Sequence, residues 1–70
     1  MTENWYELWA DEGPSVPCVL MVRPSSKGFE VLDLAAGDKK VFESQHYQEV
    51  VYWLREDEYE LVARKQIDND

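Results

Sequence analysis

Cys18 and His46 are the only thiol and the only imidazole in the chain, and a thiolate activated by an imidazole base is the most that such a pair offers. Their surroundings argue against it. Cys18 falls in Val16 to Arg23, a run apolar at nearly every position, where cysteine ordinarily serves as a small buried hydrophobe and lacks the polar, partly exposed setting a thiolate needs. His46 opens a helical segment and reads as a solvent-facing first-turn residue. Ser44, two positions earlier, sits where a helix cap belongs, and no Gly-x-Ser-x-Gly elbow accompanies it. Glu56-Asp57-Glu58 and Asp68-Asn69-Asp70 present the hard oxygens that calcium and magnesium take, but without EF-hand spacing or its turn glycine they read as solvated charge runs. One Cys and one His per chain exclude an internal disulfide and a zinc set of three or four such ligands. Gly13, Gly28 and Gly37 lie in three separate turns, so no phosphate-cradling loop exists. The expectation is a protein with no catalytic residue, no metal and no cofactor, hence no enzyme.

The elements around these residues follow from periodicity. Tyr47, Val50, Val51 and Leu54 recur at i, i+3, i+4 and i+7, one apolar stripe of a helix that Ser44 would cap and that stops near Arg55. Asn4 to Ala10 alternates as a strand, with Tyr6, Leu8 and Ala10 on one face and Trp5, Glu7 and Trp9 on the other. Asp11 to Ser15 is turn chemistry, since Gly13 tolerates positive φ and Pro14 presets φ. Val16 to Arg23 reads as a central strand with Pro17 at its first position. Pro24 to Gly28 forms a second reversal, in a loop slightly longer than two residues. Phe29 to Leu34 makes a third strand, Ala35 to Lys39 a turn, and Lys40 to Glu43 a short fourth strand. Glu56 to Glu58 marks the exit from the helix. Tyr59, Leu61 and Ala63 then alternate with Glu60, Val62 and Arg64 in a last strand, followed by a polar tail over 66–70 that is expected to fray.

These elements predict an α+β fold: a single domain over 1–70, ordered β-β-β-β-α-β, with an antiparallel sheet of five strands and one helix on one face. If each connection reverses direction, the last strand pairs beside the first and the spatial order is 5-1-2-3-4. The competing layout sets the fifth strand parallel to the fourth through a right-handed crossover. The run Val41-Phe42-Glu43-Ser44, followed by Tyr47, Trp53-Leu54 and Glu56-Asp57-Glu58-Tyr59, resembles the C-terminal half of short, uncharacterised bacterial proteins, a resemblance that covers about a third of the chain and implies no activity.

A domain of 70 residues buries only about 60% of the surface its unfolded chain exposes, and neither disulfide nor zinc supports it. Three Trp, four Tyr and two Phe supply more large apolar surface than one helix covers, which predicts association. If the helix covers Tyr6 and Leu8, then Trp5, Trp9, Val19, Met21 and Val62 form an aromatic patch on the open face, and a homodimer or other protein partner is expected there. Fifteen acids against seven bases give a net charge of −8, which repels a phosphate backbone and disfavours direct nucleic-acid binding. The same charge motivates an alternative: an acidic inhibitor or decoy that occupies a basic, nucleic-acid-binding partner. In the 5-1-2-3-4 order, Asp11, Glu12, Glu56, Asp57 and Glu58 gather at one acidic pole beside the helix C-terminus. No apolar run approaches the roughly eighteen residues of a membrane span and no secretory signal is read, so a cytoplasmic location is expected.

Overall fold

Alternating large and polar side chains draw Asn4–Asp11 into the first strand, β1, and the rest of the sheet is assembled outward from it. The computed structural model describes residues 4–11 and 18–67. It places β2 at Cys18–Ser25, β3 at Gly28–Asp33, a 3-10 turn at Leu34–Ala36, β4 at Lys39–Ser44, α1 at Tyr47–Glu56 and β5 at Tyr59–Ile67. The five strands form one sheet in the order β4-β3-β2-β1-β5, every pair antiparallel. The fold is α+β, and β5 lies beside β1 as the reversing connections predicted, not beside β4.

Several local expectations are corrected. The β2–β3 hairpin turns in two residues, Ser26 and Lys27, because Pro24 and Ser25 remain in β2 opposite Phe29 and Gly28. Pro24 is tolerated there because it lies past Cys18–Val22, the part of β2 that pairs with β1. Gly28 has a φ of 132°, and a Cβ on it would collide with the Ser44 carbonyl oxygen. Only glycine allows β3 to begin that close to the end of β4. Leu34 leaves the strand for the 3-10 turn, where the Asp33 carboxylate accepts a bond from the Ala35 N–H at 3.1 Å. Ser44 is not the helix cap. His46 holds that position without a side-chain bond, while Ser44 Oγ accepts from the His46 N–H at 3.2 Å and donates to Glu49 Oε1 at 2.5 Å. Serine here braces the approach to the helix, reaching the first turn through Glu49. The helix ends at Glu56, after which Glu58 takes a left-handed φ of 62°. Gln66 and Ile67, expected in the tail, pair with Trp5 and Asn4 in β5. The expected Gly13-Pro14 turn, Pro17 at the strand start and residues 68–70 lie outside the described residues.

Partners across an antiparallel ladder share a face, so the register Glu7–Val22, Trp9–Leu20, Val22–Val31 and Val31–Phe42 defines the side on which the helix lies. Its core is Trp9, Leu20, Val22, Val31, Val50 and Leu54, with Trp5, Phe29, Phe42, Val51, Trp53 and Tyr59 packed against them. Val50 and Leu54 are fully buried, as the helical stripe predicts. The faces of β1 are the reverse of the expectation: Trp5, Glu7 and Trp9 face α1, and Tyr6, Leu8 and Ala10 face away. Period-two alternation separates the two sets without saying which one the helix covers. The Trp set prevails because two indoles remove more apolar area from water than a tyrosine, a leucine and an alanine.

Candidate interaction surfaces

With the helix on the Trp side, α1 leaves the other face of the sheet uncovered, although Leu32 on that face is buried. The register places Leu8, Met21, Leu32 and Ala63 in one row across four strands, with Ala10 opposite Val19 in the next row. Charges on this face balance. Arg23 bonds Glu30 at 2.6 Å, Lys40 meets Glu43 at 3.3 Å, and Lys65 and Glu60 sit opposite Tyr6 and Ala10. Val19 and Met21 thus lie on the open face. Trp5 and Trp9 do not, Trp9 being only 2% exposed. Val62 is 64% exposed and is the extra residue of a bulge on β5, between Leu61 opposite Trp9 and Ala63 opposite Leu8. Val41 is likewise extra on β4, between Lys40 opposite Leu32 and Phe42 opposite Val31. Both edge strands are therefore out of step with their inner neighbours at a valine, an arrangement that hinders a further strand from adding there.

Under the helix lies a group that sequence reasoning missed. Glu7 is 1% exposed. Its Oε1 accepts from the Trp9 indole N–H at 2.9 Å, its Oε2 accepts from the Tyr47 hydroxyl at 2.5 Å, and Arg64 Nη1 stands 3.8 Å away. Trp5, Phe29 and Tyr47 wall off this corner, their ring centroids 5.6–6.0 Å apart, and the Arg64 guanidinium lies over Trp5 at 4.9 Å. Burial, then the hydrogen bond to Glu7 and its charge, push the Tyr47 phenol up to about 12, against the opposing pull of Arg64 and Arg55. Tyr47 is thus held as a donor, and the carboxylate is satisfied from both oxygens. Such a set ties the helix to β1 in one register. The signal was present in Trp5-x-Glu7-x-Trp9: on a strand, Glu7 must share the side of both tryptophans, and an acid on that side needs donors if that side is core.

The acidic pole is partly assembled. Asp11 lies opposite Tyr59, and Asp11, Glu58, Tyr59, Glu60 and Arg55 surround a shallow depression of about 420 Å³. Glu56 and Asp57 end the helix beside it, while Glu12 is outside the described residues. Arg55 turns its guanidinium over Trp9 at 5.8 Å, within this negative end. The Tyr59 phenol is raised by burial first, with Cys18 and Asp11 adding to it. Cys18 is exposed and stands opposite Asp11 at this pole, whereas His46 caps the other end of α1, so the structure does not bring the two together. Among the described residues no cluster of three or more His, Cys, Asp or Glu side chains is arranged to hold a metal ion, and no helix is long and apolar enough to cross a membrane. The arrangement is that of a small two-layer α+β domain offering surfaces of distinct chemistry. Comparison with protein-family models, with curated proteins and with solved structures returned no match.

Proposed function

We propose that this chain is a non-enzymatic protein–protein interaction domain that self-associates through the open face of its sheet. The carrying observation is the row on the face opposite α1, in which Leu8, Met21 and Ala63 are half-buried beside a Leu32 that is already buried within the chain. A sheet with apolar residues on both sides calls for a layer on both sides, and a second copy supplies one by sheet-on-sheet packing. Two chains of charge −8 repel one another except where charge is locally balanced, as it is on this face. The bulged edges favour meeting face to face over extension of the sheet. Size-exclusion chromatography with light scattering tests the reading. The parent should run at twice the chain mass, and Met21→Glu, with charge in the middle of the row, should run as a folded monomer by circular dichroism. A monomeric parent at high concentration, or a dimer indifferent to Met21→Glu, would overturn it.

A second reading, an acidic inhibitor or decoy of a basic, nucleic-acid-binding partner, is favoured by one observation, the convergence of Asp11, Glu58 and Glu60 at the helix C-terminus. Capture of such a partner should weaken steeply as salt is raised, and a salt-independent complex would refute it.

A further inference from the structure

The chain has three tryptophans, and it places its own guanidinium over two of them, Arg64 on Trp5 at 4.9 Å and Arg55 on Trp9 at 5.8 Å. Among the described residues Trp53 receives no such cation. One face of its indole stacks on Phe42 of β4, the centroids 4.6 Å and the planes 10° apart. Around it, Phe42, Gln48, Glu49, Tyr52 and Glu56 complete an open groove of about 390 Å³ between the helix and the β4 edge. Helical spacing explains the convergence. Glu49, Tyr52, Trp53 and Glu56 fall at i, i+3, i+4 and i+7, so one stripe of α1 reads acid, aromatic pair, acid. Tyr52 is 68% exposed. Glu49 holds Ser44 through Oε1, and among the described residues neither Glu49 nor Glu56 is paired with a lysine or arginine.

An aromatic floor between unpaired carboxylates fits a cation and disfavours other occupants. An uncharged apolar ligand would dehydrate both acids without compensation, and an anion would be repelled. Among cations, guanidinium is planar, weakly hydrated and able both to stack on a ring and to fork onto a carboxylate, while ammonium is a compact and strongly hydrated point charge. Along the helix axis the two acids are roughly 10 Å apart, about three residues of extended chain. We propose that this groove binds an extended, arginine-bearing segment of a basic partner protein, with a central guanidinium on Trp53 and Tyr52 and flanking positive charge toward Glu49 and Glu56. The site is on the helix side of the domain, away from the open sheet face, and is independent of self-association.

The test uses the full chain and a capped tri-arginine peptide, with tri-lysine and tri-citrulline peptides beside it. The readout is the three indole N–H resonances. Tri-arginine should shift the Trp53 resonance saturably and leave those of Trp5 and Trp9 in place. Tri-citrulline should not bind, and tri-lysine should bind several-fold more weakly. The double variant Glu49→Gln/Glu56→Gln, altered only at exposed positions, should keep its fold and bind tri-arginine about tenfold more weakly. Equal response to tri-lysine and tri-arginine with no effect of the double variant would mean general attraction to an acidic surface and would overturn the site, as would a silent Trp53 resonance. Repeating the titration on Met21→Glu separates this proposal from the dimer, since the groove should bind there undiminished even if the parent proves monomeric.

Discussion

Glu7 offers the sharpest test of how this domain holds together. Its carboxylate, 1% exposed, accepts from the Trp9 indole and the Tyr47 hydroxyl. Glu7→Leu keeps most of the volume and leaves both donors without their acceptor, at about 1–3 kcal/mol for each unsatisfied group. Release of the carboxylate's desolvation cost offsets part of that loss, so the net cost should be about 2–4 kcal/mol. A 70-residue domain has roughly 4–10 kcal/mol in all, so the variant should be visibly destabilised. Adding Tyr47→Phe removes one of the stranded donors, and the double variant should recover about 1–2 kcal/mol of what Glu7→Leu lost. Urea unfolding followed by tryptophan fluorescence measures all four corners of the cycle, with Trp9 reporting on the site itself. Additive losses would show that Glu7 and Tyr47 do not act as one unit. A Glu7→Leu protein as stable as the parent would refute the claim that these hydrogen bonds hold the helix on β1.

Leu54, fully buried under the sheet, should cost about 2–5 kcal/mol on replacement by alanine, and a thermal melt coincident with the parent's would place the helix on another face. Alkaline titration checks Tyr47. Its phenol is raised to about 12 in the folded chain from an ordinary value of 10.0, so folding retains a proton that the unfolded chain gives up first. The stabilisation is fully present below pH 10 and is lost as pH rises from there through about 12. Urea midpoints of the parent should therefore fall over that window more steeply than those of Tyr47→Phe, and superimposable profiles would exclude the linkage.

The order of the strands was legible because turn residues recur too often for a helical first half, and because each short connection reverses direction. The helical stripe was equally legible, since Tyr47, Val50, Val51 and Leu54 recur at the spacing of one helix face. The faces of β1 were not, because its two faces carry apolar sets of similar strength, and only the bulk of the indoles decides between them. Ser44 looked like a cap because serine before an apolar helical run commonly is one. In the fold the chain continues as strand through Ser44, bends at Gln45 and enters the helix after an extended His46. Of the residues expected to form an interface, Val19 and Met21 share the uncovered face while Trp5 and Trp9 belong to the core. Of the residues expected at an acidic pole, Asp11 and Glu58 line one depression. The groove at Trp53 was legible only as spacing along α1, since the sequence does not place Phe42 beneath that indole.

The pairing of β1 with β5 sets the order in which the sheet can close. The hairpins from β2 through β4 each join neighbours in sequence, and such local contacts form with little loss of chain entropy. The seam between β1 and β5 joins opposite ends of the sequence, Asn4 with Ile67 and Asp11 with Tyr59. Until the helix and β5 have arrived, β1 is an outer strand with an unpaired row of backbone donors and acceptors, and Trp9 and Glu7 have no roof. Because Tyr47 and Arg64, two of the groups around the Glu7 carboxylate, come from α1 and β5, the full environment of that acid exists only once the last seam is made.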